Sequence, residues 1–558
     1  MRARPANVAV VVAPLIVLWM GVATHQWFVE DEWAFIVRRD RPGLAHPGAF
    51  FKMLLAPHNE HWLTIPVIMF RAVFGVVGLK AYWPYLAMLM ACHALVLGLL
   101  VRRGRLDQSG RWIVAALVTI LGVHGAGAEN LLWAFQIAFV LPIAFGLVHL
   151  ECEERGAHRW GWAAGAAAVM CSAVGIAMVG AVATATLVRG GWRAALRAAS
   201  VPAVVYAVWF MTYGRAGTVN TAVDWSTAPF QAVPYAWRSL TLTVDRTIGF
   251  DGIGPLVIGA MIVAVVVWWP WLRTSHSAAL GLAAGDIAFL LLVALGREAF
   301  GDPGAGRYAY VNLALLIPLG AVLLTRLLGA ADAQRALLGA VDARKVLAVA
   351  LAVVTIAVSG STLATEADRT GQRDRSVRDH VTAAFVAARS PFASGSAVPD
   401  VNAPDLTIND VRSLAARGIV PWGQPSAQAL TDIIAKTSGD ITGRPARPIN
   451  GDAIRILALA RVTGRPVESG CVRLTPTGPT PQIVLIAHQP ASIKVVPYAP
   501  GQLVLTVRTD RRAAVATVAK VAANNPVFVN LANPEPQYVL TVPTGDTTTI
   551  CGIGQQLP

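Results

Sequence analysis

The chain has 558 residues, of which 55% are hydrophobic and 14% charged, and it carries a formal net charge of +14. Soluble domains carry about 25% charged residues. That deficit, with a mean hydropathy of +0.54, excludes an ordinary soluble enzyme and points to a multi-pass membrane protein. The basic surplus suits cytoplasmic loops and anionic lipid headgroups. No zinc spacing, recognition-helix pattern or basic–aromatic tract is present, so nucleic acid is not expected as a partner.

In chain order, Val8 to Trp27 reads as the first span, and Arg2 and Arg4 before it place the N-terminus in the cytoplasm. Three acids, Glu30, Asp31 and Glu32, follow it directly. A long external loop then runs to about Tyr82. Within it, Trp62 to Leu79 is amphipathic, and Arg71 at its centre sets it in the interface rather than across the lipid. Span 2 is Trp83 to Val101, closed by the cytoplasmic marker Arg102-Arg103-Gly104-Arg105. Span 3 is Trp112 to Val123, and span 4 is Leu131 to Leu150 after a short turn with Glu129 and Asn130.

The stretch Trp160 to Val188 has arginines at both flanks, so it must enter and return. Its Gly and Ala content predicts a tight hairpin, spans 5 and 6, with Ser172 and Gly175 at the centre. Span 7 is Ala199 to Tyr213, followed by an external loop of mixed polarity to about Phe250. Spans 8 to 11 are Ile253 to Leu272, Ala278 to Leu295, Tyr308 to Leu324 and Val346 to Ser359. About eleven spans put the tail outside the cytoplasm.

From about Thr362 the apolar runs shorten. The composition therefore predicts three regions: a transmembrane domain over 1–361, a mainly helical extracytoplasmic connector over 362–468, and an antiparallel β-sandwich over 469–558. Ser376 to Arg389 and Ala427 to Lys436 have helical periodicity. Short alternating strands are expected at 483–486, 492–496, 503–507, 527–529 and 538–542. Cys471 and Cys551, in a domain outside the cytoplasm, are expected to pair and staple the two edges of the sandwich.

Three constellations carry candidate chemistry. The first is Glu30-Asp31-Glu32 with His58-Asn59-Glu60-His61, all in the first external loop. A carboxylate in a partly desolvated cleft suits a base that takes a proton from an attacking alcohol. The histidine spacing matches no zinc motif, so no metal site is assigned there. The bland alternative is interfacial acids and helix-capping polar residues. The second is Glu129, Trp133 and Gln136, whose offsets place them on one face of span 4. The third is Arg297-Glu298 with Arg307-Tyr308, at either side of a Gly-rich turn before span 10. Arginine holds phosphate in a bidentate fork and keeps its charge in an apolar cleft.

The order of these features resembles the GT-C superfamily, membrane glycosyltransferases that use polyprenyl-phosphate sugars as donors. The resemblance rests on the acidic pair after the first span, His58-Asn59-Glu60-His61-Trp62 followed by Pro66, and Pro84-Tyr85-Leu86 with His93-Ala94-Leu95 closing at Arg102-Arg103. It implies a GT-C-like polytopic α-helical fold and an inverting transfer. Asp31 is then the best candidate base with Glu32 next, and Glu60 is the second acid late in the loop. It further implies Arg307 as holder of the donor phosphate. Glu129, Gln136, His58, His61, Arg297 and Tyr308 complete the expected substrate-binding set.

No cofactor is expected beyond the donor itself, and dependence on a divalent metal stays open. The expected partners are membrane lipids, the lipid-linked donor and a glycan or glycolipid acceptor. The high Ala, Arg and Gly content fits a bacterial cell envelope and a plasma-membrane location. Two other readings fit the composition: a transporter or lipid flippase, and a non-catalytic envelope-assembly protein. Transporters often carry repeated halves, and no such internal symmetry is visible here.

Overall fold

The computed structural model of the chain describes residues 10–17, 25–39, 47–104, 110–217, 228–297, 302–335, 343–390, 393–443, 445, 449, 453–508, 513–531 and 537–554. The helices, in order, are α1 (10–17), α2 (Asp31–Ile36), α3 (Pro47–Leu55), α4 (Thr64–Val77), α5 (Trp83–Arg103), α6 (Arg111–Gly122), α7 (Glu129–Leu132), α8 (Ile137–Glu154) and α9 (His158–Val169). They continue with α10 (Ala173–Thr212), α11 (Ala228–Ile248), α12 (Gly254–Val267), α13 (Trp269–Ser275), α14 (Ser277–Arg297), α15 (Gly306–Arg335), α16 (Ala343–Ala387), α17 (Ile408–Ala416) and α18 (Ala427–Ser438).

The contacts divide the chain into two compact units. One holds the described residues of Met1–Gln26, Arg39–Val76 and Tyr82–Arg373; the other holds Trp27–Arg38, Val77–Ala81 and those of Asp374–Pro558. The compositional boundary at 362 thus falls inside α16, which runs on as one helix of 45 residues. The acids 30–32 belong to the unit that contains the C-terminal sheets.

The chain is a multi-pass membrane protein. Among the described residues six helices are long and apolar enough to cross a bilayer, or seven if the bent pair α12 and α13 is one span. The expected eleven also counts the short helices α6 and α9, splits α10, and includes span 1, of which only 10–17 are described. The split in α10 has a local cause. Gly191 sits at φ 77, ψ −179, so the 40-residue segment is two helices joined at a glycine.

The hairpin of spans 5 and 6 turns between α9 and α10. Ser172 caps α10 by accepting from Val174 N and donates its own hydroxyl to Ala138 O at 2.6 Å. Gly175 permits the close approach, because a Cβ there would lie 2.0 Å from Ala168 O.

Three elements differ from expectation. The stretch before Phe250 is not a loop throughout: its described part contains α11, a helix of 21 residues. Its hydroxyls at Ser239, Thr243 and Thr247 recur every four residues and are buried. Asn312 Nδ2 donates to Ser239 Oγ and Thr243 Oγ1, and His124 Nε2 meets Thr247 Oγ1 at 2.9 Å. Span 8 is broken after Val267, with α12 and α13 bent by 80°. Span 4 is not one continuous helix from Leu131. After α7 the backbone is extended at Trp133 (φ −121, ψ 115), and Ala134–Gln136 form a 3-10 turn leading into α8.

In the second unit the C-terminal strands form two antiparallel sheets. The strands are β1 (Gly439–Thr442), β2 (Ile454–Ala460), β3 (Val462–Glu468), β4 (Cys471–Pro476), β5 (Gln482–Ala487), β6 (Ala491–Pro497), β7 (Gly501–Arg508), β8 (Ala513–Val521), β9 (Val527–Leu531), β10 (Gln537–Thr541) and β11 (Thr548–Cys551). One sheet has the order β1-β9-β6-β11-β4-β3, the other β2-β5-β10-β7-β8. Inward residues alternate, as in β5, and Leu474, Leu485, Ile493, Leu505, Val529 and Tyr538 are fully buried in one core. Each such side chain contributes about 1.5–3 kcal/mol.

The strands therefore start at Gly439, before residue 469. Cys471 and Cys551 are directly opposite each other in the β4–β11 pair and are bonded. They do not staple two edges of the sandwich, because β4 and β11 are interior neighbours of one sheet.

Candidate functional site

In the helical unit the chemistry gathers where α7, the turn after it and the start of α15 meet. Arg307 is the second residue of α15. Its Nη1 donates to Glu129 Oε1 at 3.0 Å, and its backbone N donates to Glu129 Oε2 at 3.2 Å. Gln136 Nε2 donates to the same Glu129 Oε1 at 3.2 Å. The break at Trp133 thus overturns the expected single helical face, yet the 3-10 turn still returns Gln136 to Glu129.

The guanidinium lies 5.3 Å from the ring centre of Tyr308, which is buried. The Arg307 and Glu129 side chains are 29% and 28% exposed, enough for a ligand to reach them. Arg246 of α11 donates to Gly304 O and so fixes the loop that delivers Arg307.

Several buried polar atoms in this segment have no hydrogen-bond partner among the described residues. They are both side-chain atoms of Asn130, Trp133 Nε1, Gln136 Oε1 and Arg307 Nε. Native interiors leave few such groups, because each costs about 1–3 kcal/mol. They lie together on residues 130–136 and Arg307.

The His-Asn-Glu-His segment folds in the same unit as a tight turn. His58 and His61 exchange backbone hydrogen bonds at 3.0 Å, with Asn59 at φ 51 between them. The His61 ring meets Glu60 Oε1 at 3.3 Å. The His58 ring packs on Phe135 at 5.6 Å, next to Gln136. Gly217 makes this possible from the other side, since a Cβ there would lie 2.1 Å from Asn59 O. Arg39 holds the approach to the turn. It is buried and donates to the carbonyls of Met53, Ala56 and Pro57. Trp62, just after the turn, stacks on Trp209 with centroids 4.9 Å apart.

In the other unit, Glu30 precedes α2 with φ 52, ψ −124. That region costs a non-glycine residue about 1–3 kcal/mol and persists only where surroundings enforce it. Glu30 N donates to Asn402 O at 2.6 Å. Asn402 in turn donates from its backbone N and Nδ2 to Asp400 Oδ1, and His380 Nδ1 donates to Asp400 Oδ2 at 2.6 Å. Burial pushes the Asp400 carboxyl up, but the His380 and Asn402 hydrogen bonds and the His380 charge outweigh it and hold the carboxyl below its usual value.

Glu32 is fully buried, and its Oε2 accepts from Val29 N at 3.1 Å. Asp31 is half-buried at the first position of α2. The flanking backbone is pinned by Trp27 N donating to Asp374 Oδ2 and by the Trp33 indole donating to Phe28 O.

Of the expected residues, the structure therefore joins Arg307, Tyr308, Glu129 and Gln136 in one cluster. It brings His58 beside that cluster's turn, with Glu60 and His61 on the same bend. Asp31 and Glu32 are in the other compact unit. Arg297 ends α14, and Glu298 lies outside the described residues. Among the described residues no group of three or more His, Cys, Asp or Glu is arranged to hold a metal. The sequence reading missed Arg39, Arg246, His380 and Asp400. Arg39 stands in a basic doublet with Arg38, which was a usable signal; the others are recognisable only through long-range partners.

No protein-family model and no curated protein matches the chain. Among solved structures, it is similar to ArnT from Cupriavidus metallidurans bound to undecaprenyl phosphate, with a TM-score of 0.40 and 16% identity over 78% of this chain and 92% of that one. It is also similar to the arabinosyltransferase EmbB from Mycobacterium smegmatis, with a TM-score of 0.37 and 12% identity over 98% of this chain and 64% of that one.

Proposed function

We propose that the chain is an integral-membrane glycosyltransferase. It moves a sugar from a polyprenyl-phosphate donor to a hydroxyl of a cell-envelope glycan or lipid on the outer face, with inversion. The observation that carries this reading is the Arg307 cluster. A guanidinium whose buried Nε has no hydrogen-bond partner among the described residues stands near amide, indole and carboxamide groups that also have none there. Phosphate oxygens complement the guanidinium, and sugar hydroxyls complement the amides.

In the reaction, Asp31 takes the proton of the acceptor hydroxyl as its oxygen attacks the anomeric carbon. The bond from that carbon to the phosphate oxygen breaks on the opposite side, and the electron pair leaves with the polyprenyl phosphate. Arg307 stabilises the charge that grows on the leaving phosphate. Within this reading Asp31 is the better base. It is half-buried, whereas Glu32 is sealed in and already accepts from Val29 N.

The disulfide supports action on the outer face, because structural disulfides persist outside the cytoplasm. Asp31 belongs to the same compact unit as that disulfide. With Arg2 and Arg4 before the first span, the proposed orientation is a cytoplasmic N-terminus and an extracytoplasmic tail.

The test is Asp31→Asn in the purified full chain, assayed with a radiolabelled polyprenyl-phosphate sugar. The expected result is a loss of transfer by a factor of about 10²–10⁴, with donor binding retained. Transfer at the wild-type rate would exclude Asp31 as the base.

A further inference from the structure

A cavity lies in the helical unit, apart from the Glu129–Arg307 cluster. It has a volume of about 430 Å³ and opens where α5 and α8 end, near the Gly191 joint of α10 and at the start of α14. That volume is within the range of about 300–1,000 Å³ common to small-molecule sites. Four arginines line it, Arg102, Arg103, Arg155 and Arg189, against two glutamates, Glu151 and Glu154.

The pairing is uneven. Arg102 and Arg155 share Glu151, at 2.7 and 2.6 Å, and Arg103 takes Glu154 at 2.7 Å. Arg189 is exposed at the cavity and, among the described residues, reaches the Glu153 carbonyl at 3.5 Å. The first residues of α14, Ser277 to Ala279, also line it. Thr274, Ser275 and His276 add polar groups, and one part of the wall is apolar, with Leu282, Ile317 and Val322. Positive charge at the rim and hydrocarbon along the wall form an amphipathic slot between membrane helices.

We propose that this cavity binds the phosphodiester headgroup of an anionic membrane lipid. The phosphate engages Arg189 and one of the two guanidiniums that share Glu151, Arg102 or Arg155, and the acyl stems lie along Leu282, Ile317 and Val322. A basic pocket between membrane helices at their arginine-rich ends has the chemistry for such a headgroup. A zwitterionic lipid brings its own cation, which four arginines disfavour. Inorganic phosphate satisfies the charge and leaves the apolar wall bare. The site is independent of the proposed sugar transfer.

The test measures binding of short-chain phosphatidylglycerol to the full chain in neutral detergent, by native mass spectrometry and by the shift in thermal midpoint. Phosphatidylcholine of equal chain length and inorganic phosphate serve as comparisons. The expected result is saturable binding of phosphatidylglycerol that weakens with salt, at least ten-fold tighter than either comparison. Arg189→Gln should weaken it about five-fold, and Arg189→Lys should retain most of it.

Equal binding of phosphatidylglycerol and phosphatidylcholine would overturn the proposal. So would inorganic phosphate matching the lipid, or an unchanged affinity in Arg189→Gln. Should that variant fail to fold, the three-ligand comparison on the unaltered chain still decides.

Discussion

The acidic segment 30–32 and the Glu129–Arg307 cluster are both built from charged residues, but they spend their hydrogen bonds differently. The acidic segment is held from many directions. Its strained Glu30 is tied to Asn402, Glu32 is sealed against Val29 N, and an Asp400–His380 pair stands behind. The Arg307 cluster centres on the Glu129 carboxylate and the Tyr308 ring and leaves five buried polar atoms of four residues without partners among the described residues. Paired polar groups fix geometry, whereas an unpaired buried one costs free energy until water or a ligand satisfies it. In the proposed reading the first region positions a group and the second binds one.

The most disruptive way to test that contrast is Arg307→Gln. Hydrogen bonds to charged groups contribute about 1.5–3 kcal/mol. The variant should therefore bind a polyprenyl-phosphate donor about 10–100-fold more weakly, measured by equilibrium binding on the purified chain. Unchanged donor affinity would move the phosphate elsewhere.

Next is Glu30→Gly. Glycine relaxes the left-handed backbone, so this variant should be more stable by about 1–3 kcal/mol. Its thermal midpoint should rise while transfer stays within two-fold of wild type. A large loss of transfer would make Glu30, rather than Asp31, the working acid.

The smallest effect is expected from Asp400→Asn. Because the folded state holds the Asp400 carboxyl below its usual value, its stabilisation is present above the ordinary carboxylate pKa, about 3.9, and is lost as pH falls through the folded value. The variant should lose about 1 kcal/mol at neutral pH. It should also show a flatter decline below about pH 4, read as thermal midpoint against pH for the tail unit. An acid profile that matches wild type would remove Asp400 from the support of the acidic segment.

Much of the membrane architecture was legible because hydrocarbon imposes long apolar runs that no tertiary contact needs to explain. The spans behind α5, α14 and α15 fall close to their expected limits. The exceptions are local backbone events: the extended residue at Trp133, the joint at Gly191 and the bend between α12 and α13. Helix α11 was hidden because its repeating feature is a row of hydroxyls rather than apolar residues. Among the strands, β5, β6, β7, β9 and β10 were visible, and all five are interior. Four of those missed, β1, β2, β3 and β8, are the sheet edges, where one side lacks a neighbour and the hydrophobic alternation is weaker.

The sequence by itself determined that this chain lives in a membrane, ends in a sandwich, and carries acids after its first apolar run and an arginine before a late one. Those properties follow from composition and short periodicities, which act locally. Only the tertiary structure decided that Glu129 and Gln136 converge on Arg307 across a broken helix. It also decided that residues 27–38 fold with the tail, and that the two cysteines are neighbours in one sheet. These are contacts between residues far apart in the chain, set by the packing of whole elements rather than by any spacing along it.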